Sequence, residues 1–209
     1  TLPRRVARFY LKQDWLYFGD LVKSSQTATK KLTSKKHADV LTNLSNEIIK
    51  TRENLFQKYL GEPLPFRLFA TEWISIEKIP VISAYTNHLL KTAQESPPAV
   101  AIASIIPCTH LYRTAGEIMI ADPEYHKNRH NNPYAPLIES FLNQQFTTAG
   151  KDLVEIAEEL GATSCQEIQN EMISACVKST EYEILFLNEV NKKMDAVNEP
   201  LLENFKAFR

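Results

Sequence analysis

The constraint that most narrows the fold is one stretch, Ala99 to Ala121, which is largely apolar and repeats with a helical period. Within it Cys108 and Tyr112 stand four apart, so both side chains leave the same face of one helix. Ile105 lies one turn before them, and Ala115 and Met119 follow one and two turns later, which puts thiol and phenol on the buried stripe. Pro107 brings no backbone N–H, so a kink or loosened turn is expected just ahead of the thiol. A thiol in such a place ordinarily behaves as a small hydrophobe. What points beyond packing is that two carboxylates interrupt other apolar stripes of the chain in the same manner.

The first is Asp14. From Pro3 to about Lys31 the residues Val6, Phe9, Tyr10, Tyr17, Leu21 and Val22 recur at helical spacing, and Asp14 lies four after Tyr10 and three before Tyr17. On that stripe it needs a partner, a pocket or a raised pKa, because an unpaired buried charge costs several kcal/mol. At the stripe's edge it would be solvated. The second is Glu183, on a helix that opens with the capping-box pattern Ser164-Cys165-Gln166-Glu167 and continues to Met194. Its stripe is Ile168, Met172, Cys176, Ser179, Glu183, Phe186, Val190 and Met194, whereas Glu181 falls with Ser174, Lys178 and Asn188 on the wet face.

The remaining segments read as scaffold. Ser34 begins a helix through Leu60, with Val40, Leu41, Leu44, Ile48, Ile49, Leu55 and Tyr59 on its apolar side and Gly61 as its stop. Glu62 to Ile79 is a connection broken by Pro63 and Pro65, in which Trp73 reads as a packing residue. A third helix, Pro80 to about Glu95, carries Ile82, Tyr85 and Leu89 inward, and Ser96-Pro97-Pro98 then starts the Cys108 helix, which ends near Asp122-Pro123. Glu124 to Asn132 is polar and turn-rich. His126 and His130 have the spacing of a metal pair there, but no third ligand is marked and a solvated loop is expected. A fifth helix is predicted from Pro136 to Phe146, with Leu137, Phe141 and Leu142 inward, and a sixth from Lys151 to Leu160, stopped by Gly161.

The 209 residues suit one domain, and Thr1-Leu2-Pro3 reads as a helix start with Thr1 as N-cap, so the numbering is expected to begin inside a longer natural chain. A net charge of −1 supplies no field to attract nucleic acid or acidic lipid. The three cysteines, Cys108, Cys165 and Cys176, are odd in number and lack paired short spacings, which argues against a disulfide framework or zinc site and for a reducing, cytoplasmic location. No apolar run reaches the ~18 residues of a membrane span, and the N-terminus lacks a signal-peptide layout. A soluble protein is expected.

Seven helices, no convincing strand and few glycines specify an all-α bundle. Three of its helices point Asp14, Cys108 and Glu183 inward with Tyr17, Tyr85 and Tyr112 near them, which predicts a polar pocket at the bundle centre. A thiol beside a carboxylic acid and aromatic walls suits nucleophilic addition to a flat heterocycle, the acid moving protons at the ring or leaving group. The chain has no glycine-rich phosphate loop, no Glu-x-x-His pair for a di-iron site and no serine nucleophile elbow.

At these residues the chain resembles the TenA, or thiaminase II, family, whose fold is the heme-oxygenase-like helical bundle. The matching pieces are Gln13-Asp14-Trp15-Leu16-Tyr17, Ala84-Tyr85-Thr86, Pro107-Cys108-x-x-x-Tyr112-x-x-x-Gly116 and Glu183-x-x-Phe186, in the family's order and spread over nearly the whole chain. The resemblance implies hydrolysis of a pyrimidine at its bridging methylene. The substrate would be thiamine or, in salvage, 4-amino-5-aminomethyl-2-methylpyrimidine, and the product 4-amino-5-hydroxymethyl-2-methylpyrimidine.

By the same resemblance Cys108 adds to the ring, Glu183 exchanges a proton with a ring nitrogen, and Asp14 holds the aminopyrimidine edge. Tyr17, Tyr85, Tyr112 and Phe186 line the pocket, no metal or cofactor is needed, and the assembly is a homotetramer. One departure stands out. The family usually has Trp-Ile-x-x-Tyr where this chain reads Leu137-Ile138-Glu139-Ser140-Phe141, and that tyrosine's hydroxyl bonds the catalytic glutamate. Its loss is expected to raise the pKa of Glu183 and loosen its orientation. The departure keeps open a non-catalytic or weakly active pyrimidine-binding protein on the same scaffold. Heme binding by fold analogy has little support, because no histidine stands on the pocket-facing stripes.

Overall fold

In a computed structural model of the chain, the structure describes residues 2–55, 58 and 77–206, with backbone only at 55 and 195–206. Helix α1, Arg4–Thr29, buries Tyr10, Leu11, Tyr17 and Leu21 at the predicted spacing, and Asp14 with them. Its flanking position is Pro3, whose carbonyl accepts from Val6 and Ala7; Thr1, expected as the cap, lies outside the described residues. Helix α2, Lys35–Leu55, buries Leu41, Leu44 and Ile48, while Ile49 falls off the stripe at 36% exposure. The predicted continuation through Tyr59 to Leu60, the stop at Gly61, and the part of the connection holding Trp73 lie outside the described residues.

Helix α3, Pro80–Glu95, starts with proline at its first position, where the missing N–H costs nothing. Gln13 fixes that start from α1: its amide nitrogen donates to the Glu77 carbonyl (3.1 Å) and its amide oxygen accepts from the Ile79 N–H (3.0 Å). Lys78, paired with buried Asp20, donates to Thr86 Oγ1 (3.1 Å), and Ser24 Oγ donates to the Leu89 carbonyl (3.0 Å). These bonds lock α1 and α3 side by side.

Helix α4, Pro98–Ala121, is the axis of the bundle. Every residue from Ala99 to Ile105 is buried, because α4 packs against α1, α3 and the two later long helices at once. The helix runs through Pro107 unbroken. Met119, placed on the buried stripe by period alone, is 36% exposed, since beyond Gly116 the helix leaves the bundle's centre.

The polar stretch expected as a loop forms a short helix α5, Pro123–Asn128, followed by a 3-10 turn at Arg129–Asn131. Pro123 is preset for a first helical position, and Asp122 caps it by accepting from the Glu124 N–H (2.9 Å). His126 and His130 are exposed on it, and among the described residues no group of three or more metal-ligating side chains converges. Helix α6 is short, Ala135–Ser140, and α7 spans Gln144–Ala162. The predicted boundaries near Phe146 and Lys151 were misplaced: Asn143 Oδ1 accepts from the Phe146 N–H (2.7 Å), so a new helix begins there and takes in Gly150 and Gly161.

Helix α8, Gln166–Lys206, extends well past Met194. The capping box does not form; Ser164 Oγ donates instead to the Leu160 carbonyl (2.8 Å). Ser179, Glu183, Phe186 and Val190 are buried and Glu181 is exposed, as the stripe predicted, but Cys176 is only half-buried. Among the described residues there is no strand, and no helix is long and apolar enough to cross a membrane.

Candidate active site

Four helices bring the singled-out residues to one place near the bundle's axis. Asp14 and Tyr17 come from α1, Tyr85 from α3, Cys108 and Tyr112 from α4, and Glu183 and Phe186 from α8. All except Tyr112 are buried, with 6% exposure at Asp14 and 3% at Cys108 and Glu183. The rings build the walls. Tyr17 and Tyr85 meet at 4.8 Å between centroids, Tyr85 stacks on Tyr182 at 5.4 Å, and Tyr112 packs on Phe141 at 5.2 Å.

One residue that sequence reasoning read only as core belongs to this set. Tyr10 stacks on Phe186 (5.5 Å, 18° between planes) and lines the same spaces as Tyr112. The available signal was its position four before Asp14 on the same face, but a tyrosine on an apolar stripe carries the same signature as a core residue.

The electrostatics follow from burial. Glu183 Oε1 accepts a hydrogen bond from the Tyr85 hydroxyl at 3.0 Å. Burial pushes the Glu183 carboxyl up to about 7, and the Tyr85 bond pulls it back only in part. Asp14 is raised by burial and then by the charge of Glu183. Burial, followed by that same charge, holds the Cys108 thiol well above the ordinary range, so it is a neutral thiol near pH 7. The Tyr17 hydroxyl lies beside this sulfur but makes no well-directed hydrogen bond, leaving a buried donor in want of an acceptor.

Two cavities meet here. A chamber of about 50 Å³ is lined by Cys108 and Asp14, with Thr51, Ser140 and Asn143 toward its rim. A groove of about 640 Å³ is lined by Glu183 and by side chains such as Leu111, Ile118, Ile184 and Leu187, almost all apolar. Tyr10, Tyr112 and Phe141 line both. Such a set can polarise a flat, nitrogen-bearing ring through its acids and present a thiol to it. Among the described residues no lysine or arginine lines either cavity.

Comparison with known proteins agrees with this architecture. A model of the TENA/THI-4/PQQC family matches residues 1–193. An uncharacterized protein of Haemophilus influenzae is 24% identical over 190 residues, covering 89% of this chain and 83% of that protein. Among solved structures, a TenA family transcription regulator from Silicibacter sp. TM1040 superposes with a TM-score of 0.77 at 16% identity, over 91% of this chain and 83% of its own. A TenA homologue from P. horikoshii OT3 gives 0.71 at 20% identity, over 91% and 84%. A candidate TenA-like thiaminase from Sulfolobus solfataricus P2 gives 0.69 at 20%, over 92% and 82%. At these identities the superpositions establish a shared all-α fold.

Proposed function

The chain belongs to the TENA/THI-4/PQQC family, and from that premise we propose that it hydrolyses a thiamine-derived aminopyrimidine at its bridging methylene. The substrate would be 4-amino-5-aminomethyl-2-methylpyrimidine, thiamine, or both, and the role a salvage one. The observation that carries the reading is the convergence of Cys108, Asp14 and Glu183 within one buried, aromatic-walled site.

In this reading Asp14 holds the amino edge of the ring while protonated Glu183 gives its proton to a ring nitrogen. With the aminomethylpyrimidine, the Cys108 sulfur bonds to the electron-poor ring carbon, and the thiol proton goes to the leaving amine, which departs as ammonia as its bond to the methylene breaks. Water then adds at the methylene, its proton goes to the departing sulfur, and the ring nitrogen returns its proton to Glu183. The sum exchanges an amine for a hydroxyl. A carboxyl titrating at about 7 serves both halves, since an acid–base group works best near the operating pH. A neutral thiol is no obstacle where the leaving amine can accept its proton.

Phe141, together with the elevated thiol, favours a second reading: a protein that binds the pyrimidine and does not turn it over. Incubation with the aminomethylpyrimidine and, separately, thiamine, while following the hydroxymethyl product, decides between them. Product from the native chain and none from Cys108→Ser, with helical circular dichroism unchanged, is the expected outcome. Saturable binding without product would establish the second reading.

The family's tetramer bears on this chain through its surface. Ile173 and Val177, one turn apart on α8, are 64% and 52% exposed, an apolar pair that self-association would cover.

A further inference from the structure

The thiol and the acid of the proposed reaction open into different spaces. Cys108 and Asp14 face the small chamber, Glu183 faces the apolar groove, and Tyr10 and Tyr112 stand between. The chamber's volume of about 50 Å³ is far below the ~300 Å³ at which small-molecule sites begin, whereas the groove, at about 640 Å³, lies inside that range. A ring touching both Cys108 and Glu183 therefore has to occupy space now filled by the partition. The partition is held lightly on one side. Tyr10 is buried and stacked on Phe186, but Tyr112 is only partly buried and rests on the half-buried Phe141.

We propose that the apolar groove is the route by which a flat heteroaromatic ligand reaches Cys108, and that the Tyr10–Tyr112 pair is the gate that parts to join groove and chamber. Continuity of lining supports the groove over the chamber's own rim: Tyr10, Tyr112 and Phe141 border both spaces, and the groove's mouth is open, with Ile118 68% exposed. Tyr112 is the moving part. Tyr10 sets the position to which it returns.

The inference rests on Cys108 being the group a ligand must reach, and its test needs no turnover, so its failure and that of the hydrolase reading are distinguishable. In a chain carrying Cys165→Ser and Cys176→Ser, Cys108 is the sole cysteine. 4,4′-Dithiodipyridine, a flat heteroaromatic disulfide, then reports access: the Cys108 sulfur bonds to one reagent sulfur, the reagent's S–S bond breaks, and thiopyridone leaves with the thiol proton and is read by absorbance. Ile118→Trp, at the groove mouth, is expected to slow labelling several-fold, and Thr51→Trp, at the chamber rim, to slow it clearly less. Tyr10→Phe, which keeps the stack on Phe186 and removes the hydroxyl facing Tyr112, is expected to speed it. The pH dependence of labelling separates a changed gate from a changed thiol, since a gate alters the plateau rate and leaves the midpoint in place. Should Tyr10→Phe fail to fold, Tyr112→Phe removes the facing hydroxyl. Slowing by Thr51→Trp alone would place the entrance at the rim between α2 and α6 and overturn the proposal. Equal slowing by both plugs, or by neither, overturns it too, because no single route would then exist.

Discussion

Glu183 shows how one side chain can be legible in sequence while its chemistry is not. A carboxylate on an apolar stripe, opposite the wet-face Glu181, marked it as buried, and it is. The same reasoning reached Asp14 and Cys108, because a polar group at a core period is a local contradiction visible without coordinates. It missed Tyr10, which contradicts nothing. Nor could it see that Tyr85, from another helix, donates to Glu183. The carboxyl nevertheless rises to about 7 from 4.5, with burial as the main cause. A carboxyl raised in the folded state stabilises the fold fully below about pH 4.5, and that contribution is lost as pH climbs through 7. The loss is on the order of 3 kcal/mol at one pKa unit per 1.36 kcal/mol. Urea unfolding between pH 4.5 and 8 should therefore show stability falling with pH, and Glu183→Gln should remove this share of the slope. Phe141→Tyr, whose ring borders the same groove as Glu183, should move the falling limb to lower pH by adding a second donor. An identical slope in native protein and Glu183→Gln would mean that the carboxyl is not shifted.

Element boundaries were harder than element existence, for an identifiable reason. The stripes of α1, α3, α4 and α8 repeat over several turns, so each extra turn reinforces the reading. A boundary rests on one or two caps. Asp122-Pro123 was read as the end of α4, yet the same pair starts α5, and Asn143 divides α6 from α7 where the apolar pattern ran on to Phe146. The glycine that ends the Pro107–Gly116 motif has its explanation at this scale. A Cβ at Gly116 would stand 3.1 Å from Phe141 Cβ and 3.2 Å from Leu142 Cγ, so a side chain there would push the turn after α6 away from α4 by a few tenths of an ångström. Gly116→Ala offers a helix-propensity gain of about 1 kcal/mol, opposed by overpacking against the fixed base of a side chain, which costs about 1–3 kcal/mol. The overpacking wins. A lower urea midpoint at unchanged m-value is the expected result, and a more stable variant would show that the turn yields freely.

Across the whole molecule, a face that helical period marks as wet is not uniformly wet. Ile173 and Val177 share the outer side of α8 with Lys178 and Glu181, and nothing among the described residues covers them. Two large apolar side chains that are more than half exposed and one turn apart are uncommon on a surface that works alone, because burying each would return roughly 1.5–3 kcal/mol. Sequence period could not flag them. They lie outside the stripe that fills the bundle, and a pattern tuned to one core has no place for a second interface. If the chain assembles through this face, Ile173→Lys with Val177→Lys should shift the mass measured by light scattering toward the single chain. Helicity should be unchanged, since neither residue is part of the core, and thiol access to Cys108 should stay as it was, because neither residue lines the groove or the chamber. A native sample already at the mass of one chain at micromolar concentration would refute the assembly. An assembled sample that keeps its mass after both substitutions would move the interface to another face and leave the apolar pair as exposed surface.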